Sequence, residues 1–266
     1  MIHPTGNRFC TKRSLGQNFL QDRAVAARIV AAAEISPRDE IIEIGPGNGA
    51  LTEYLLAASA KVTAIEADQR LLPVLEEKFG GFPSFEVIFA DALKVRFADF
   101  GAAQRLKVVA NLPYNISTAV LQKLSAERSA FSLLVLMFQR EVVARITALP
   151  GDSERGFLTV LVERSFSIEK LFDVPATAFR PIPKITSSVI RLKPKLPIAV
   201  DEAEFRAFVS AGFRQKRKTL ANNFRAILPN AESVFREAAI DSRRRAETLS
   251  LSEWETLFHS AKDRRN

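Results

Sequence analysis

Short apolar runs alternate with amphipathic segments along the first two thirds of the chain. Residues 22–33 carry apolar side chains at helical spacing and stop at Ser36-Pro37, which predicts a first helix. Residues 39–44 form a buried-strand pattern, followed by Gly45-Pro46-Gly47-Asn48-Gly49 and a helical stretch over 51–58. The apolar, β-branched pattern returns at 61–65, 85–90 and 108–110, and 118–124 predicts a helix capped by Ser117 or Thr118. A strand at 131–138 and a helix at 141–148, closed by Pro150, come next. Two further strand-like runs, 157–166 and 186–192, have no helical pattern between them and predict an antiparallel hairpin at the sheet edge. This alternation predicts an α/β fold, a doubly wound and mostly parallel sheet of seven strands.

Lys193-Pro194-Lys195-Leu196-Pro197 breaks the pattern and divides the chain into 1–195 and 196–266. Beyond it the periodicity is helical, over 202–212, 215–228, 231–239 and 251–259, with Ser250 and Glu253 spaced as a capping box for the last helix. The second part is therefore expected to be a small all-helical domain.

Composition narrows the chemistry. Lys+Arg 38 against Asp+Glu 30 gives a net charge of +8, which favours a polyanionic partner. Cys10 is the only cysteine and His3 and His259 the only histidines, so neither a disulfide nor a zinc or haem ligand set is expected, and Cys-His or Ser-His nucleophilic catalysis is not the leading idea. The first 14 residues lack the apolar core of a signal peptide, and 131–138 is too short to span a bilayer. These features predict a cytoplasmic protein that is at most peripheral to membranes.

Candidate chemistry lies at the ends of the predicted strands. Strand, glycine-rich turn and helix in that order is a nucleotide-site arrangement. The spacing at 45–49 is G-x-G-x-G rather than that of pyrophosphate binders, and no phosphate-cradling lysine follows. Glu66 ends the next strand about 20 residues on, where an acidic group meets the two ribose hydroxyls of an adenosine. Asp91 ends the third strand, where its carboxylate can accept from an adenine amino group; read alone, it caps the turn that follows. Asn111-Leu112-Pro113-Tyr114-Asn115 follows the fourth strand. Asn111 and the Pro113 carbonyl can accept the two amino hydrogens of an adenine, and Tyr114 offers a ring to stack on. Those five residues alone read equally well as an Asn-Pro turn with a core tyrosine. Phe179 sits in a proline-stiffened segment, 174–184, as a second stacking ring or as a local plug. Arg214, Lys216, Arg217 and Lys218 form one basic cluster and Arg243-Arg244-Arg245 another; together they favour phosphate contact.

Taken together, Gly16-Gln17-Asn18-Phe19-Leu20, Glu43-Ile44-Gly45-Pro46-Gly47, Asn111-Leu112-Pro113-Tyr114-Asn115-Ile116-Ser117, Phe179-Arg180-Pro181-Ile182-Pro183-Lys184 and Gln215-Lys216-Arg217-Lys218-Thr219-Leu220 resemble the rRNA adenine N6,N6-dimethyltransferases, most closely the bacterial branch acting on small-subunit rRNA. The resemblance runs nearly end to end. It implies a Rossmann-like methyltransferase sheet and S-adenosylmethionine as methyl donor, in a pocket lined by Gln17, Asn18, Leu20, Gly45, Gly47, Glu66, Asp91 and Asn111. It implies Asn111, Pro113 and Tyr114 as the catalytic group, with Tyr114, Phe179, Arg214, Lys216, Arg217 and Lys218 binding substrate. The reaction implied is dimethylation of two adjacent adenosines near the 3′ end of 16S rRNA in a nearly mature small ribosomal subunit, by a monomer. Asn48 and Arg155 depart from the family pattern, which often has an apolar residue and a tyrosine there. A DNA adenine methyltransferase fits less well because Leu112 replaces the first proline of its loop. An assembly or transcription factor on the same fold and the large-subunit resistance branch are the remaining alternatives.

Overall fold

The computed structural model describes residues 18–58, 61–101, 106–196, 201–228 and 230–263. After the two-residue strand β1 (Phe19–Leu20) come β2 (Glu40–Ile44), β3 (Lys61–Glu66), β4 (Phe85–Phe89), β5 (Leu106–Asn111) and β6 (Leu133–Gln139), the last five forming a parallel sheet. Three more strands follow, β7 (Phe166–Val174), β8 (Phe179–Arg180) and β9 (Ser187–Pro194). The β7–β9 hairpin completes the seven-stranded sheet antiparallel, in the order β4-β3-β2-β5-β6-β9-β7. A separate short ribbon pairs β1 with β8. Strands β2, β5 and β6 are buried on both faces, which is why they read as continuous apolar runs.

Helices α1 (Arg23–Ala31), α2 (Thr52–Ala58), α3 (Leu72–Phe79), α4 (Ser117–Ala126), α5 (Arg140–Ile146) and α6 (Phe157–Ser165) cover the sheet. Asp22 caps α1 by accepting from the Ala24 and Val25 amides at 2.9 and 3.1 Å. α4 has no side-chain cap; Ser117 Oγ instead donates to the Tyr114 carbonyl at 3.1 Å. The chain leaves β2 toward β3 and β4 on one side, then returns to place β5 and β6 on the other. The carboxyl ends of β2 and β5 therefore adjoin at the point where the winding reverses, the position at which open α/β sheets form a crevice.

Two elements differ from the sequence expectation. The run 157–166 is helix α6, not a strand, and the hairpin partner of β9 is β7. The cause is burial on two sides: Leu158 and Val162 belong to the core against the sheet, while Val160 belongs to the core of the C-terminal helices. A short apolar, β-branched run that is buried on two sides reads as a buried strand as readily as a helix. The second difference lies at 215–228, where helix α8 covers only Leu220–Phe224 and residues 214–218 form a loop; helix α7 (Glu202–Gly212) precedes it. Thr219 caps α8 by accepting from the Asn222 amide, so the helix starts after the basic residues.

Helices α7, α8, α9 (Ala231–Glu237) and α10 (Leu251–Asp263) gather around Trp254, which is fully buried. A Cβ on Gly212 would fall 2.3 Å from the Trp254 ring, so only glycine lets α7 end there. Ser250 and Glu253 form the expected capping box, with bonds of 2.8 and 3.2 Å. Buried arginines join these helices to the helices and loops that cover the sheet. Arg155 donates to the carbonyls of Leu249 and Ala148 at 3.1 and 3.0 Å and to Glu163 at 2.7 Å. Arg164 reaches Glu255 at 2.6 Å and, with Arg128, shares Glu202. Arg155 thus fills its unusual position as a three-way clamp.

Candidate active site

The crevice at the β2–β5 switch is walled by the glycine loop, the end of β3, the loop after β5 and the arm residues Asn18, Phe19 and Leu20. Each wall follows from local sequence. Gly45, Gly47 and Gly49 all have positive φ, which turns the chain sharply from β2 into α2. At Gly47 the φ is +58° and a Cβ would sit 2.9 Å from the Phe19 ring, so the bare backbone lets the arm close over the loop. The arm is held by the β1–β8 pairing, with Leu20 opposite Phe179 and Phe19 opposite Arg180.

Beneath the glycine loop are two buried carboxylates. Glu66, at the end of β3, accepts from the Gly47 amide at 3.3 Å and from the Asp68 amide at 2.8 Å. Burial raises its pKa against those two bonds, and the Asp68 charge raises it further. Glu43, inside β2, accepts from Thr52 Oγ1 at 2.6 Å. Its burial is complete; that loss of water, with the Glu66 charge nearby, pushes its pKa up to about 8. Reading the sequence for strand ends passes over Glu43, which lies one residue before the end of β2 and lines the crevice.

The loop after β5 is stiffened by its polar atoms. Asn111 lines the crevice, and its Nδ2 donates to the Asn18 carbonyl at 3.3 Å. That bond commits the amide's donor side to the arm and leaves Oδ1 as an acceptor. The Pro113 carbonyl accepts from the Ile116 amide at 3.2 Å and keeps its second lone pair. Leu112 is buried and anchors the loop in the core. Tyr114 is half-buried on the crevice wall and shares a 3.0 Å hydrogen bond with Ser187 Oγ of β9. Burial raises the tyrosine's pKa, and the Ser187 bond opposes the rise. Nothing local to Ser187 marks it out, because its contact spans 73 residues.

The structure thus brings Asn18, Leu20, Gly45, Gly47, Glu66, Asn111, Pro113 and Tyr114 to one crevice. Asp91 is not among its lining residues, and its Oδ1 accepts from the Leu93 amide at 2.9 Å as a turn cap. Gln17 lies outside the described residues. Phe179 is placed differently from the stacking position expected of it: its ring is fully buried beside Leu20 and Ala178, as a plug under the arm. An apolar ring paired with Leu20 across a two-stranded ribbon is worth more in the core than in water.

The basic surface is separate from the crevice walls. Arg214, Lys216, Arg217 and Lys218 are all exposed on the loop before α8. The loop is held from behind by Asn223, whose Nδ2 donates to the carbonyls of Gly212 and Gln215 and whose Oδ1 accepts from the Gln215 amide, at 2.6, 3.2 and 3.1 Å. Lys216 also donates to the Ser153 carbonyl of the sheet side. Backbone bonds from Leu220 to Arg244 and from Ala221 to Ser242, of 2.8 and 2.9 Å, bring the second basic cluster alongside. There Arg243 pairs with Asp241 and Arg244 with Glu253. No group of acidic, histidine or cysteine side chains among the described residues is arranged to hold a metal ion, and no described helix is long and apolar enough to cross a membrane.

The sequence pattern of the family described as ribosomal RNA adenine dimethylase matches residues 8–263. The chain is 42% identical over 267 residues to ribosomal RNA small subunit methyltransferase A of Geobacillus sp. (strain WCH70), covering 95% of this chain and 92% of that one. It is 41% identical over 247 residues to the protein of the same name from Thermotoga maritima, covering 93% and 84%. Among solved structures, a dimethyladenosine transferase from Plasmodium falciparum superposes with a TM-score of 0.80 at 28% identity, over 93% of this chain and 98% of that one. The 23S rRNA methyltransferase ErmE superposes with a TM-score of 0.70 at 27% identity, over 92% and 100%. With a match spanning the sheet, the crevice and the helices beyond them, this chain belongs to the ribosomal RNA adenine dimethylase family.

Proposed function

We propose that this chain methylates the N6 amino groups of two adjacent adenosines near the 3′ end of 16S rRNA, twice each, in a nearly mature small ribosomal subunit, as a cytoplasmic monomer using S-adenosylmethionine. The observation that carries the reading is the Asn111 amide, fixed by the arm at the β2–β5 switch with its oxygen left to accept, beside the Pro113 carbonyl and the Tyr114 ring.

The crevice suits the donor. Gly45 and Gly47 expose bare backbone, Glu66 offers carboxylate oxygens for ribose hydroxyls, and Asn18 and Leu20 close the side. Asp91 keeps a second carboxylate oxygen for the cofactor's adenine while its first caps a turn. When bound, S-adenosylmethionine supplies a methyl group on a sulfonium, whose departure leaves a neutral thioether.

The protein's task is then the nucleophile, because adenine's amino lone pair is delocalised into the ring. Accepting both amino hydrogens, on Asn111 Oδ1 and the Pro113 carbonyl, favours a pyramidal nitrogen with its lone pair directed away from the acceptors. That arrangement stabilises the reacting geometry over the flat ground state. Tyr114 stacks on the extruded base and offsets a few kcal/mol of unstacking, its ring angle fixed by Ser187. Residues 196–266 act as the rRNA-binding domain, with Arg214, Lys216, Arg217 and Lys218 on phosphates.

Radiolabelled methyl transfer to unmethylated small subunits, large subunits and DNA, run in parallel, tests the proposal. Label in small-subunit rRNA at adenosine N6 is expected. Label confined to large subunits would assign the chain to the branch that includes ErmE, and label in DNA alone or nowhere would overturn the reading.

A further inference from the structure

Extruding a purine leaves a gap in the RNA stack, and none of the residues assigned so far fills it. The segment 180–186 is tied to the crevice at both ends. At its start, β8 pairs with the arm strand β1, and Phe179 is buried beneath that pairing. At its end, Ser187 holds the Tyr114 hydroxyl at 3.0 Å, and the Thr186 carbonyl accepts from the Arg140 amide at 3.0 Å. Between these anchors Ile182 stands with a proline on either side and is 56% exposed; Ile185 is 37% exposed. Pro181 and Pro183 fix their own φ angles and lack N–H donors, so the stretch neither winds into a helix nor collapses onto a neighbouring strand. Ile182 is therefore an aliphatic tip on a stiff loop whose two ends bond to residues that line the crevice.

Its neighbours indicate what it meets. Arg180 and Lys184 flank it, both exposed. Arg180 donates to the Thr177 and Phe179 carbonyls at 3.2 and 2.8 Å, which fixes where its guanidinium sits. An apolar tip between two cations suits a polyanion with stacked apolar faces: phosphates meet the charges, and a base step receives the side chain. Apolar wedges of this kind are used elsewhere to hold unstacked steps open.

We infer that Ile182 enters the RNA stack beside the target adenosine and fills the place that the extruded base leaves. This rests on the RNA adenine reading above and adds to it a positioning residue that touches the stack rather than the reacting atoms.

The test is single-turnover methylation of unmethylated small subunits by the full chain and its Ile182→Ala, Ile182→Ser and Ile182→Leu variants. Subunit affinity, S-adenosylmethionine affinity and melting temperature are measured alongside. A wedge worth one base-step contact predicts that Ile182→Ala and Ile182→Ser lower the rate at saturating subunits by about tenfold. Ile182→Leu should restore it to within about twofold, with both affinities and the melting temperature within about twofold or a degree of wild type. An unchanged rate in Ile182→Ala, a loss confined to subunit affinity, or a Leu variant as slow as Ala would each overturn the inference. A wild-type chain that labels no small subunits would instead remove the reading on which it rests, which separates the two failures.

Discussion

The crevice and the basic loop at 214–218 use polar side chains in opposite ways. In the crevice, Asn111, Glu43, Glu66 and Tyr114 each carry a hydrogen bond to a named partner and lie partly or wholly out of water. On the basic loop the side chains are exposed, and it is the backbone behind them that Asn223 pins. Pinned groups in a partly buried crevice act through position and are sensitive to small displacements. Exposed cations act through charge, tolerate movement and are screened by salt. On the function proposed above, the crevice carries the chemistry and the loop the affinity, and the two regions should fail differently when altered.

The largest effect is expected from Asn111→Ala. Removing the one acceptor whose orientation the arm fixes should lower the single-turnover methylation rate by about two to three orders of magnitude. S-adenosylmethionine affinity, measured by calorimetry, should fall much less than the rate, because Asn111 is one of several residues lining that pocket and its Nδ2 is one of the bonds on the arm. A variant with near-wild-type turnover would show that the amide does not govern the nitrogen.

Next in size is the triple variant that combines Lys216→Ala, Arg217→Ala and Lys218→Ala. Subunit affinity should fall roughly 10- to 100-fold at moderate salt, and the slope of log affinity against log salt should flatten by about two to three. The rate at saturating subunits should stay near wild type. A loss of rate at saturation with an unchanged salt slope would mean that the loop shapes the site rather than holding phosphate.

How far sequence reaches differs between local and distant contacts. Glycine turns, acidic strand ends and the Asn-Leu-Pro-Tyr loop are legible because each depends on short-range backbone rules, and the parallel alternation places strand ends on one rim. What stays hidden depends on contacts far apart in the chain. Ser187 meets Tyr114, Asn18 meets Asn111 across 93 residues, and Phe179 turns inward because Leu20 pairs with it. Helix α6 escapes for a related reason, since its apolar, β-branched run is buried against two cores and reads locally as a strand. The two basic clusters already differ in sequence, since Asp241 lies two residues before Arg243 and no acid adjoins 214–218, but only the fold shows that Glu253 closes on Arg244.

Burial distinguishes the crevice from the loop, and Glu43 reports on it through pH. Its ordinary pKa is 4.5 and its folded value about 8, so between those values the native state holds a proton that the unfolded chain has released. Its contribution to stability is therefore present below 4.5 and lost as pH rises toward 8, at up to about 1.4 kcal/mol per pH unit. Glu43→Gln keeps an oxygen for Thr52 and cannot titrate. Urea denaturation should show the variant gaining on wild type as pH is raised from about 6 to 8. A constant difference across that range would mean the carboxyl is already ionised in the fold.

Smaller again is Tyr114→Phe. The ring and its stacking remain, and one hydrogen bond to Ser187, worth about 1 kcal/mol, is lost. Methylation should slow by about fivefold, and Ser187→Ala should give the same loss, with the double variant no worse than either alone. Additive losses in the double variant would show that the hydroxyl acts elsewhere than on Ser187.

The smallest expected effect contrasts the acid-paired cluster with the basic loop. Arg243 is highly exposed yet closes on Asp241 through Nε and Nη2, at 3.1 Å in each case, while Arg244 is drawn to Glu253 and the Thr248 carbonyl. The Asp241 carboxylate is held below its usual pKa by the Arg243 guanidinium first and by the Arg243 amide next. Approaching phosphate must compete with that carboxylate, so the net attraction of the pair is small even though the arginine faces water. Arg243→Ala should therefore change subunit affinity by less than about twofold and leave the salt slope almost unaltered. Asp241→Asn is the sharper version: it frees the guanidinium without adding a cation, and should tighten binding slightly at low salt, an effect that fades as ionic strength rises. Equal losses from Arg243→Ala and from any single alanine at Lys216, Arg217 or Lys218 would mean that ion pairing does not distinguish the clusters, and that the two runs form one continuous phosphate-binding strip.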